Sequence, residues 1–380
     1  MAVKKKRPRI HNADYILLFT LLILLIIGIL MVFSASSIQA MTRNKDPYYF
    51  LVRQGTSALI GLVAMFLAIK VDYRYLKRYA GLAIPICGIL LVAVLFTKEV
   101  KGAQSWIKFG TYGFQPSELV KLGVILLMAK FLSLHEDRQK ALKEGFLPAL
   151  AVLGIAGLLI VLQGDLGSTM VLMAAGLVVL FLAGVRYIYL SGIIVSGLGA
   201  ATVLILKEEY RQDRFLAFLD PSVDSKGVGW QIINSLYAIG SGGLTGLGLG
   251  QSRQKFGWIP EQHNDFIFSI IAEELGFIGA TAIILLLALL ICRGFRIALK
   301  APDAFGSLLA AGITSIIMVE ALVNIAVVTG TMPVTGITLP FISYGGSSLI
   351  FKLMGMGVLL NISRYIIEPR PQHNMKELGL

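Results

Sequence analysis

Charged residues and cysteine are both scarce in this sequence. Only 15% of the 380 residues are charged and two are cysteine, whereas 56% are hydrophobic. An ordinary soluble domain has about a quarter charged residues, so this composition excludes a soluble globular protein and indicates an integral membrane protein. Cys87 and Cys292 lie in or at the end of apolar segments without metal-ligand spacing, so we predict neither a disulfide nor a metal site there.

We expect no cleavable signal peptide at the N-terminus. Met1 to Arg9 contains five basic residues, but the apolar run that follows, Tyr15 to Phe33, is nineteen residues long. Such a run can span a bilayer and is longer than the apolar part of a signal peptide. The small residues from Ser34 to Ala40 would suit a cleavage site, yet the length of the run favours a first helix that is retained.

Ten apolar runs are near the length that a membrane-spanning helix needs. They lie at about residues 15–35, 53–71, 79–97, 117–134, 146–163, 167–185, 187–206, 266–292, 304–328 and 347–366. The sequence therefore predicts an all-α integral membrane protein, a polytopic bundle of ten transmembrane helices. Its membrane domain is expected at 14–366, with short tails at 1–13 and 367–380 and a large extracytoplasmic loop, 207–264, between spans 7 and 8.

The distribution of basic residues predicts the orientation of this bundle. With the N-terminus inside, the inner segments hold 20 of the 34 Lys and Arg residues and the outer segments hold 12. Half of the outer twelve lie in the long loop, where the positive-inside rule counts least. We therefore predict that both termini are cytoplasmic. The net charge of +12 is spread over short loops, so we predict no nucleic-acid partner.

Ionisable residues are concentrated at the start of the eighth apolar run. The stretch Trp258 to Gly276 reads W-I-P-E-Q-H-N-D-F-I-F-S-I-I-A-E-E-L-G. A carboxylate at the edge of hydrocarbon loses hydration and is usually retained because it pairs or takes part in chemistry. For Asp265, the residues alone favour two interpretations equally: a catalytic or substrate-binding acid, or a carboxylate that complements a helix dipole.

Other ionisable residues in apolar surroundings are predicted to be structural. Glu273 and Glu274 lie about 12 Å deeper along the same helix, and we predict that one of them pairs inside the bundle. His263 is predicted to be an interfacial polar residue, since no second His or Cys stands at ligand spacing. Asp165 fits a helix cap, and Lys352 is expected to pair with a buried carboxylate.

The segment before the fourth apolar run contains a helix start. Pro116 and Ser117 provide the start signal, and Glu118 follows in the first turn. Glu118 and Lys121 are three residues apart and share a helical face, so they can form an ion pair. Their spacing alone favours a structural ion pair at the top of the bundle over a functional site.

The predicted loop 207–264 is too long to be a simple tether. One part of it places Trp230, Ile233, Leu236 and Tyr237 on a common helical face, which is typical of a short helix at the membrane interface. The run that follows, G-S-G-G-L-T-G-L-G-L-G, lacks the G-K-[ST] ending of a phosphate loop. It therefore predicts flexible or close-packed backbone.

Residues 329–348 combine Pro333 and Pro340 with four glycines at membrane depth. Irregular backbone is tolerated there only when it is buried in protein or lines a wet cavity. We therefore predict a cavity open to the outer face, lined by this segment, by the Asp265 stretch and by residues 101–118.

Four strings of residues resemble those of the SEDS family, the shape, elongation, division and sporulation group that includes FtsW, RodA and SpoVE. The match runs through essentially the whole chain, and its last string is closer to the division and sporulation branch than to RodA. Asn264 departs from the family, which more often has Thr before the aspartate. The strings are Q-P-S-E-L-V-K-L (Gln115 to Leu122), P-E-Q-H-N-D-F-I-F (Pro260 to Phe268), A-E-E-L-G (Ala272 to Gly276) and L-P-F-I-S-Y-G-G-S-S (Leu339 to Ser348).

The resemblance implies a peptidoglycan glycosyltransferase that polymerises lipid II at the outer face of the bacterial cytoplasmic membrane, in cell division or sporulation. Asp265 stands at the position of the family's proposed catalytic residue, and a carboxylate beside the attacking sugar hydroxyl can accept its proton. Undecaprenyl pyrophosphate leaves without needing an acid, so inversion is expected. The implied partners are a class B penicillin-binding protein, divisome or sporulation proteins, and membrane lipid.

The negatively charged leaving group requires nearby cations. We expect these to be Lys108, Arg211, Arg214, Arg253 or Lys255, or a bound divalent cation such as Mg or Mn, with no metal site built from protein ligands alone. The complete set of expected substrate-binding residues is Lys108, Glu118, Lys121, Arg211, Arg214, Lys255, His263, Ser343, Tyr344 and Ser347.

Two other functions stay open at the level of sequence. A lipid II flippase would suit the Pro- and Gly-interrupted segments before the fourth and tenth spans, which resemble the broken helices of transporters. A non-catalytic scaffold for a transpeptidase is the second alternative. The concentration of unusual chemistry on the outer face favours the enzyme.

Overall fold

The computed structural model describes residues 11–99, 103–109, 112–134, 146–222, 224 and 227–366. The predicted C-terminal tail, 367–380, lies outside these residues, as do the first ten residues of the predicted N-terminal tail. Within the described ranges the chain is helical, apart from loops and one short hairpin. The helices are α1 (Tyr15–Asn44), α2 (Tyr49–Lys70), α3 (Tyr73–Tyr79), α4 (Ala83–Val94), α5 (Pro116–Leu134), α6 (Leu147–Leu162), α7 (Leu166–Leu182), α8 (Tyr187–Lys207), α9 (Glu209–Leu219), α10 (Val228–Ser241), α11 (Ile267–Lys300), α12 (Ala304–Val328) and α13 (Gly346–Ser363).

Several of these helices are long and apolar enough to cross a membrane. Seven described segments meet this criterion: α1, α2, the continuous segment formed by α3 and α4, α8, α11, α12 and α13. Helices α6 and α7 are apolar but shorter. The chain is therefore a multi-pass membrane protein with a helical fold, as the sequence predicts.

Helix α12 occupies the centre of the bundle. In its most apolar stretch 72% of the residues are buried, against 6% for α8 at the periphery. Helix α12 packs against α11, α7 and α5, while α13 packs along α2. Small residues allow the second pair to approach closely: a Cβ on Gly357 would lie 2.4 Å from the carbonyl oxygen of Met65.

Helix α11 is broken at Gly276, where φ is +66°. The N–H groups of Leu247 and Gly248 donate to the carbonyls of Glu273 and Glu274, which the break leaves without helical partners. In return, the N–H groups of residues 277 and 278 donate to carbonyls of residues 243 and 244. The glycine-rich run therefore provides hydrogen-bond partners for the backbone groups at the break. Such partners are needed because unpaired backbone groups are costly in a membrane protein. Of the two predicted alternatives for this run, close-packed backbone is confirmed.

A two-stranded antiparallel hairpin precedes α5 and is the exception to the predicted all-α fold. Strands β1 (Ile107–Phe109) and β2 (Tyr112–Phe114) pair with Lys108 opposite Gly113. Such a hairpin is too short to be marked by alternating polarity over several residues. Helix α5 then begins at Pro116, as the start signal predicts.

The predicted 207–264 loop contains two helices, α9 and α10. Helix α10 buries its polar residues Asn234 and Ser235, and the Ser235 hydroxyl donates to the carbonyl of Val328 at 2.7 Å. Its apolar residues Leu236 and Tyr237 are exposed. An apolar face turned outwards is the arrangement expected of a helix in contact with lipid, which agrees with the predicted interfacial helix.

Candidate active site

Asp265 lies in a tight turn that leads into α11. The N–H groups of Asn264 and Phe266 both point to the carbonyl of Glu261, at 3.0 and 3.4 Å. From α12, the side-chain amide of Asn324 donates to the carbonyl of Asp265 at 2.7 Å. The same amide donates to the carbonyl of Ile337 at 2.7 Å. Asn324 thus holds the Asp265 turn against the irregular segment 329–345.

The segment 329–345 passes close to the carboxylate of Asp265. Gly336 is exposed and has a φ of +75°, and a Cβ placed on it would lie 4.0 Å from Asp265 Oδ2. Asp265 itself is only 8% exposed. Asp265 is therefore buried beside the segment around Gly336, and the predicted cavity open to the outer face stays a prediction. The carboxylate thus lies next to an exposed position of this segment.

His263 lies on the other side of the turn. Its ring centroid is 4.4 Å from that of Phe50 and 5.6 Å from that of Tyr344, and it is 5% exposed. The N–H of Tyr344 donates to the carbonyl of His263 at 2.9 Å. The ring is therefore buried between aromatic neighbours, and the predicted position of His263 at the membrane interface stays a prediction. Tyr344, by contrast, is brought beside the Asp265 turn.

The predicted serines take part in the structure of the same segment. The hydroxyl of Ser343 accepts from the N–H of Leu339 at 2.8 Å, and that of Ser347 accepts from the N–H of Gln115 at 3.2 Å. The side chain of Gln54, on α2, donates to the Ser343 carbonyl and accepts from Gly345. These bonds join the Tyr344 region to α2 and to the start of α5.

The predicted Glu118–Lys121 ion pair is confirmed and belongs to a larger network. Lys121 Nζ lies 2.9 Å from Glu118 Oε1 and also contacts Glu320 of α12. Lys352 Nζ lies 2.8 Å from Glu320 Oε2, which confirms the predicted pairing of Lys352 with a buried carboxylate. Two acids and two bases balance in charge, which lowers the cost of burying them.

This charged network is connected to the irregular segment. The hydroxyl of Ser348 donates to Glu118 Oε2 at 3.1 Å, and Lys352 Nζ lies 3.5 Å from the hydroxyl of Thr338. Thr338 is two residues from Gly336. The network therefore supports the segment that covers Asp265.

Lys255 is buried and paired, whereas a cation that stabilises the leaving group would have to be accessible to the substrate. It is 3% exposed, and its Nζ lies 3.0 Å from Glu274 Oε1 and 2.6 Å from the carbonyl of Gly250. Glu273 accepts from the Ser252 hydroxyl and from the N–H of Arg253. The predicted internal pairing of a glutamate is confirmed for Glu274, and the two acids hold the loop that leads to the Asp265 turn.

Three other predicted cations, Arg214, Arg211 and Lys108, differ in what they contact. Arg214 donates to the carbonyl of Val334 at 3.1 Å, two residues before Gly336, and stacks on Tyr210. Arg211 donates to the carbonyl of Leu204 at the end of α8. Lys108 is exposed on β1. Of these three, Arg214 is the one that contacts the segment over Asp265.

Asp165 caps a helix, as predicted. Its Oδ1 accepts from the N–H of Ser168 at 2.9 Å in the first turn of α7. Its Oδ2 accepts from the side chain of Gln115 at 3.0 Å. The cap thereby anchors the start of α5 beside α7.

In the part of the chain that the structure describes, no group of three or more His, Cys, Asp or Glu side chains is placed to hold a metal ion. A divalent cation is one of the candidates expected to stabilise the pyrophosphate, and these residues do not provide a preformed set of ligands for it. We assign no step to it.

A family model for cell cycle proteins, FtsW/RodA/SpoVE, matches residues 15–367. The chain belongs to the FtsW/RodA/SpoVE family. This confirms the resemblance on which the interpretation of Asp265 depends.

Individual relatives within the FtsW/RodA/SpoVE family agree with this assignment. The chain is 47% identical to stage V sporulation protein E of Bacillus subtilis, over 96% of this chain and 99% of the relative. It is 43% identical to the probable peptidoglycan glycosyltransferase FtsW of Trichlorobacter lovleyi, over 96% of each chain. The predicted resemblance to the division and sporulation branch is confirmed at this level.

Solved structures of the FtsW/RodA/SpoVE type have the same fold. A chain of a peptidoglycan synthase complex that coordinates polymerization and crosslinking is 32% identical, with a TM-score of 0.75 over 93% of this chain and 98% of its own. The rod shape determining protein RodA of Thermus thermophilus is 30% identical, with a TM-score of 0.69 over 94% of this chain and 98% of its own.

Three residues that hold the site together are absent from the set predicted from sequence: Gln54, Glu320 and Asn324. Glu320 and Asn324 are four residues apart in the otherwise apolar α12, which places them on one face. Polar side chains inside a spanning helix indicate a functional or pairing site. That signal could have found both residues, whereas nothing in the sequence around Gln54 distinguishes it.

Proposed function

We propose that this protein is a peptidoglycan glycosyltransferase that polymerises lipid II, with Asp265 as the general base. The activity is the one named for its FtsW relatives. The observation that carries the assignment of the base is the position of the Asp265 carboxylate beside exposed Gly336, in a turn whose backbone carbonyl accepts from the Asn324 amide.

The proposed reaction needs one proton acceptor. A sugar hydroxyl of one lipid II forms a bond to the anomeric carbon of the muramyl unit of another chain. The bond from that carbon to the pyrophosphate oxygen breaks, and its electron pair leaves with undecaprenyl pyrophosphate. Asp265 takes the proton of the attacking hydroxyl, as a general base does. Attack from the side opposite the leaving group inverts the anomeric carbon.

Several residues support this chemistry by position. The N–H of Tyr344 donates to the His263 carbonyl and the amide of Asn324 donates to the Asp265 carbonyl, so the backbone of the turn is held at two places. Arg214 donates to the Val334 carbonyl in the segment that contains Gly336, and it is one candidate cation for the pyrophosphate. Exposed Lys108 on the hairpin is a second candidate for the pyrophosphate. A cation at either place would stabilise the departing charge.

The proposed topology has ten spans. Seven helical segments qualify by length and apolarity, α6 and α7 add two shorter apolar helices, and α5 adds the tenth. Glu118 and Lys121 of α5 pair with each other and with Glu320 and Lys352 in a network that balances in charge, which makes a span at this position tolerable. Both termini are then cytoplasmic, and Asp265 faces the outside. The natural partner is a class B penicillin-binding protein in a division or sporulation complex, since a related chain belongs to a peptidoglycan synthase complex.

Purified full-length protein, with and without its cognate transpeptidase, and labelled lipid II test the proposal. We expect glycan strands from the wild type and none from Asp265→Asn, which keeps the shape of the side chain but removes its basicity. Asp220→Asn is the matched control, because Asp220 is exposed in the same outer segment. Hydrogen bonds from Ser222 hold the pKa of Asp220 below its usual value, so the control also removes an ionised acid.

The outcomes separate the possible functions. Polymer from wild type and Asp220→Asn, but not from Asp265→Asn, supports both the activity and the base. Normal polymerisation by folded Asp265→Asn would rule out Asp265 as the base. Translocation of lipid II across liposomes without polymer would replace the proposal by a flippase.

A further inference from the structure

A second cavity lies at the end of α11 that is remote from Asp265. It has a volume of about 440 Å³ and lies between the start of α1 and the last turns of α11. Its walls include His11, Asp14, Arg293, Arg296 and Lys300. None of these residues takes part in the proposed glycosyl transfer.

The N-terminal wall of this cavity is held in place by hydrogen bonds to the end of α13. The N–H of His11 donates to the carbonyl of Arg364 at 2.8 Å. The N–H of Asp14 donates to the hydroxyl of Ser363 at 3.0 Å, and Asp14 Oδ1 caps α1 by accepting from Leu17. The segment before α1 thus crosses to α13 and closes one side of the cavity.

The cavity has an excess of positive charge. Asp14 Oδ2 lies 2.5 Å from Arg293 Nη2 and 3.0 Å from its Nε, so this arginine is neutralised. Arg296 and Lys300 are exposed, and neither forms an ion pair with any residue that the structure describes. One carboxylate faces three bases, and the cavity therefore favours a ligand with negative charge.

The mouth of the cavity continues into an apolar surface. Tyr15 and Ile16 line the cavity and are about half exposed, and Phe19 lies one turn further along the same side of α1. Leu299, between the two unpaired bases, is 79% exposed. A small soluble anion would leave this surface uncovered, whereas a lipid would place its headgroup at the bases and its chains along α1.

We propose that this cavity binds a phosphate group, carried by an anionic phospholipid of the membrane leaflet opposite Asp265. Arg296 and Lys300 contact the phosphate, and the acyl chains lie against the exposed side of α1. Lys70, at the end of α2, and Arg186, just before α8, are also basic but do not line the cavity, so they provide a control for charge outside it.

Native mass spectrometry of the full-length protein tests this site. The protein is extracted from liposomes with equal parts of phosphatidylglycerol and phosphatidylcholine, and the retained lipids are counted. We expect wild type to retain phosphatidylglycerol selectively. The double variant Arg296→Gln/Lys300→Gln should retain it roughly 30-fold more weakly, because it loses the electrostatic attraction of two surface cations for the anionic lipid. Lys70→Gln/Arg186→Gln loses the same charge outside the cavity and should retain it like wild type.

Three results would overturn or redirect the proposal. Equal retention by both double variants would show that the cavity is not the site. Equal retention of phosphatidylcholine by wild type would show that negative charge is not recognised. If inorganic phosphate, added in titration, binds to the lipid-free wild type as tightly and displaces phosphatidylglycerol, the phosphate site stands and the lipid is not its occupant. Arg296→Glu/Lys300→Glu gives a second variant pair in which the loss should be larger.

Discussion

Asn324 donates a 2.7 Å hydrogen bond to the backbone carbonyl of Asp265, from a helix 59 residues further along the chain. Its second bond, to Ile337, ties the same amide to the segment that covers the carboxylate. One buried side chain therefore sets the distance between the proposed base and its cover. This relationship gives the first prediction.

Replacing Asn324 by alanine leaves two buried carbonyls without this donor. We expect a loss of about 1–3 kcal/mol in the free energy of unfolding, the usual cost of an unsatisfied buried group. The kcat of glycan polymerisation should fall as well, because the carboxylate loses its fixed position. Thermal unfolding in detergent and polymerisation kinetics measure the two effects.

The control for this variant is Asn234→Ala. Among the residues that the structure describes, the amide of Asn234 donates to the carbonyl of Trp230 within its own helix. We expect a loss of about 1 kcal/mol or less and unchanged polymerisation, since a single local hydrogen bond has a small net value. Similar kinetic effects from both variants would contradict a positioning role for Asn324.

Glu320 is predicted to be the least replaceable member of the charged network, because it contacts both Lys121 and Lys352. Glu320→Ala leaves two buried bases with one acid, and we expect a loss of about 3–5 kcal/mol. Adding Lys352→Met restores the charge balance and should recover a large part of the loss. Glu209→Ala removes an exposed acid at the start of α9 and serves as the control. A double variant that is no more stable than Glu320→Ala would show that charge balance is not what stabilises the bundle.

Gly276→Ala is expected to destabilise the break in α11, where the backbone of Gly276 packs against that of Gly246. The backbone there, with φ of +66° and ψ of −169°, is in a region used almost only by glycine, and strain of this kind costs about 1–3 kcal/mol. A Cβ would also lie 2.3 Å from the backbone nitrogen of Gly246. Gly154→Ala in α6 meets no atom within 4 Å and should raise stability by roughly 0.5–1 kcal/mol. The melting temperatures of the two variants should therefore move in opposite directions; equal values would disprove the strained contact.

The proposed orientation can be tested by labelling single cysteines. In a background with Cys87→Ala and Cys292→Ser, we introduce Ser222→Cys, in the outer segment, or Arg186→Cys, at the start of α8. A membrane-impermeant maleimide should label the first in intact spheroplasts and the second only after permeabilisation. The reverse result would place Asp265 in the cytoplasm and would exclude polymerisation outside the membrane.

The sequence by itself determined the properties that depend on composition and on local spacing. Apolar runs gave the helices, because the length of a spanning helix is set by the bilayer. The Glu118–Lys121 pair and the Asp165 cap join residues three apart, so helix geometry alone predicts them. The strings around Asp265 identified the family, and the proposed base follows from them.

Only the tertiary structure decided which distant residues meet. Glu320 pairs with both Lys121 and Lys352, and Glu274 pairs with Lys255 inside the protein. The Asn324 amide connects the backbone of Asp265 to that of Ile337. The tertiary structure also decided that Asp265 is buried beside the segment around Gly336. A polar or charged residue in an apolar helix indicates that the residue has a partner, since burying it unpaired is costly. Which partner it finds depends on how helices far apart in sequence pack, and local spacing carries no information about that.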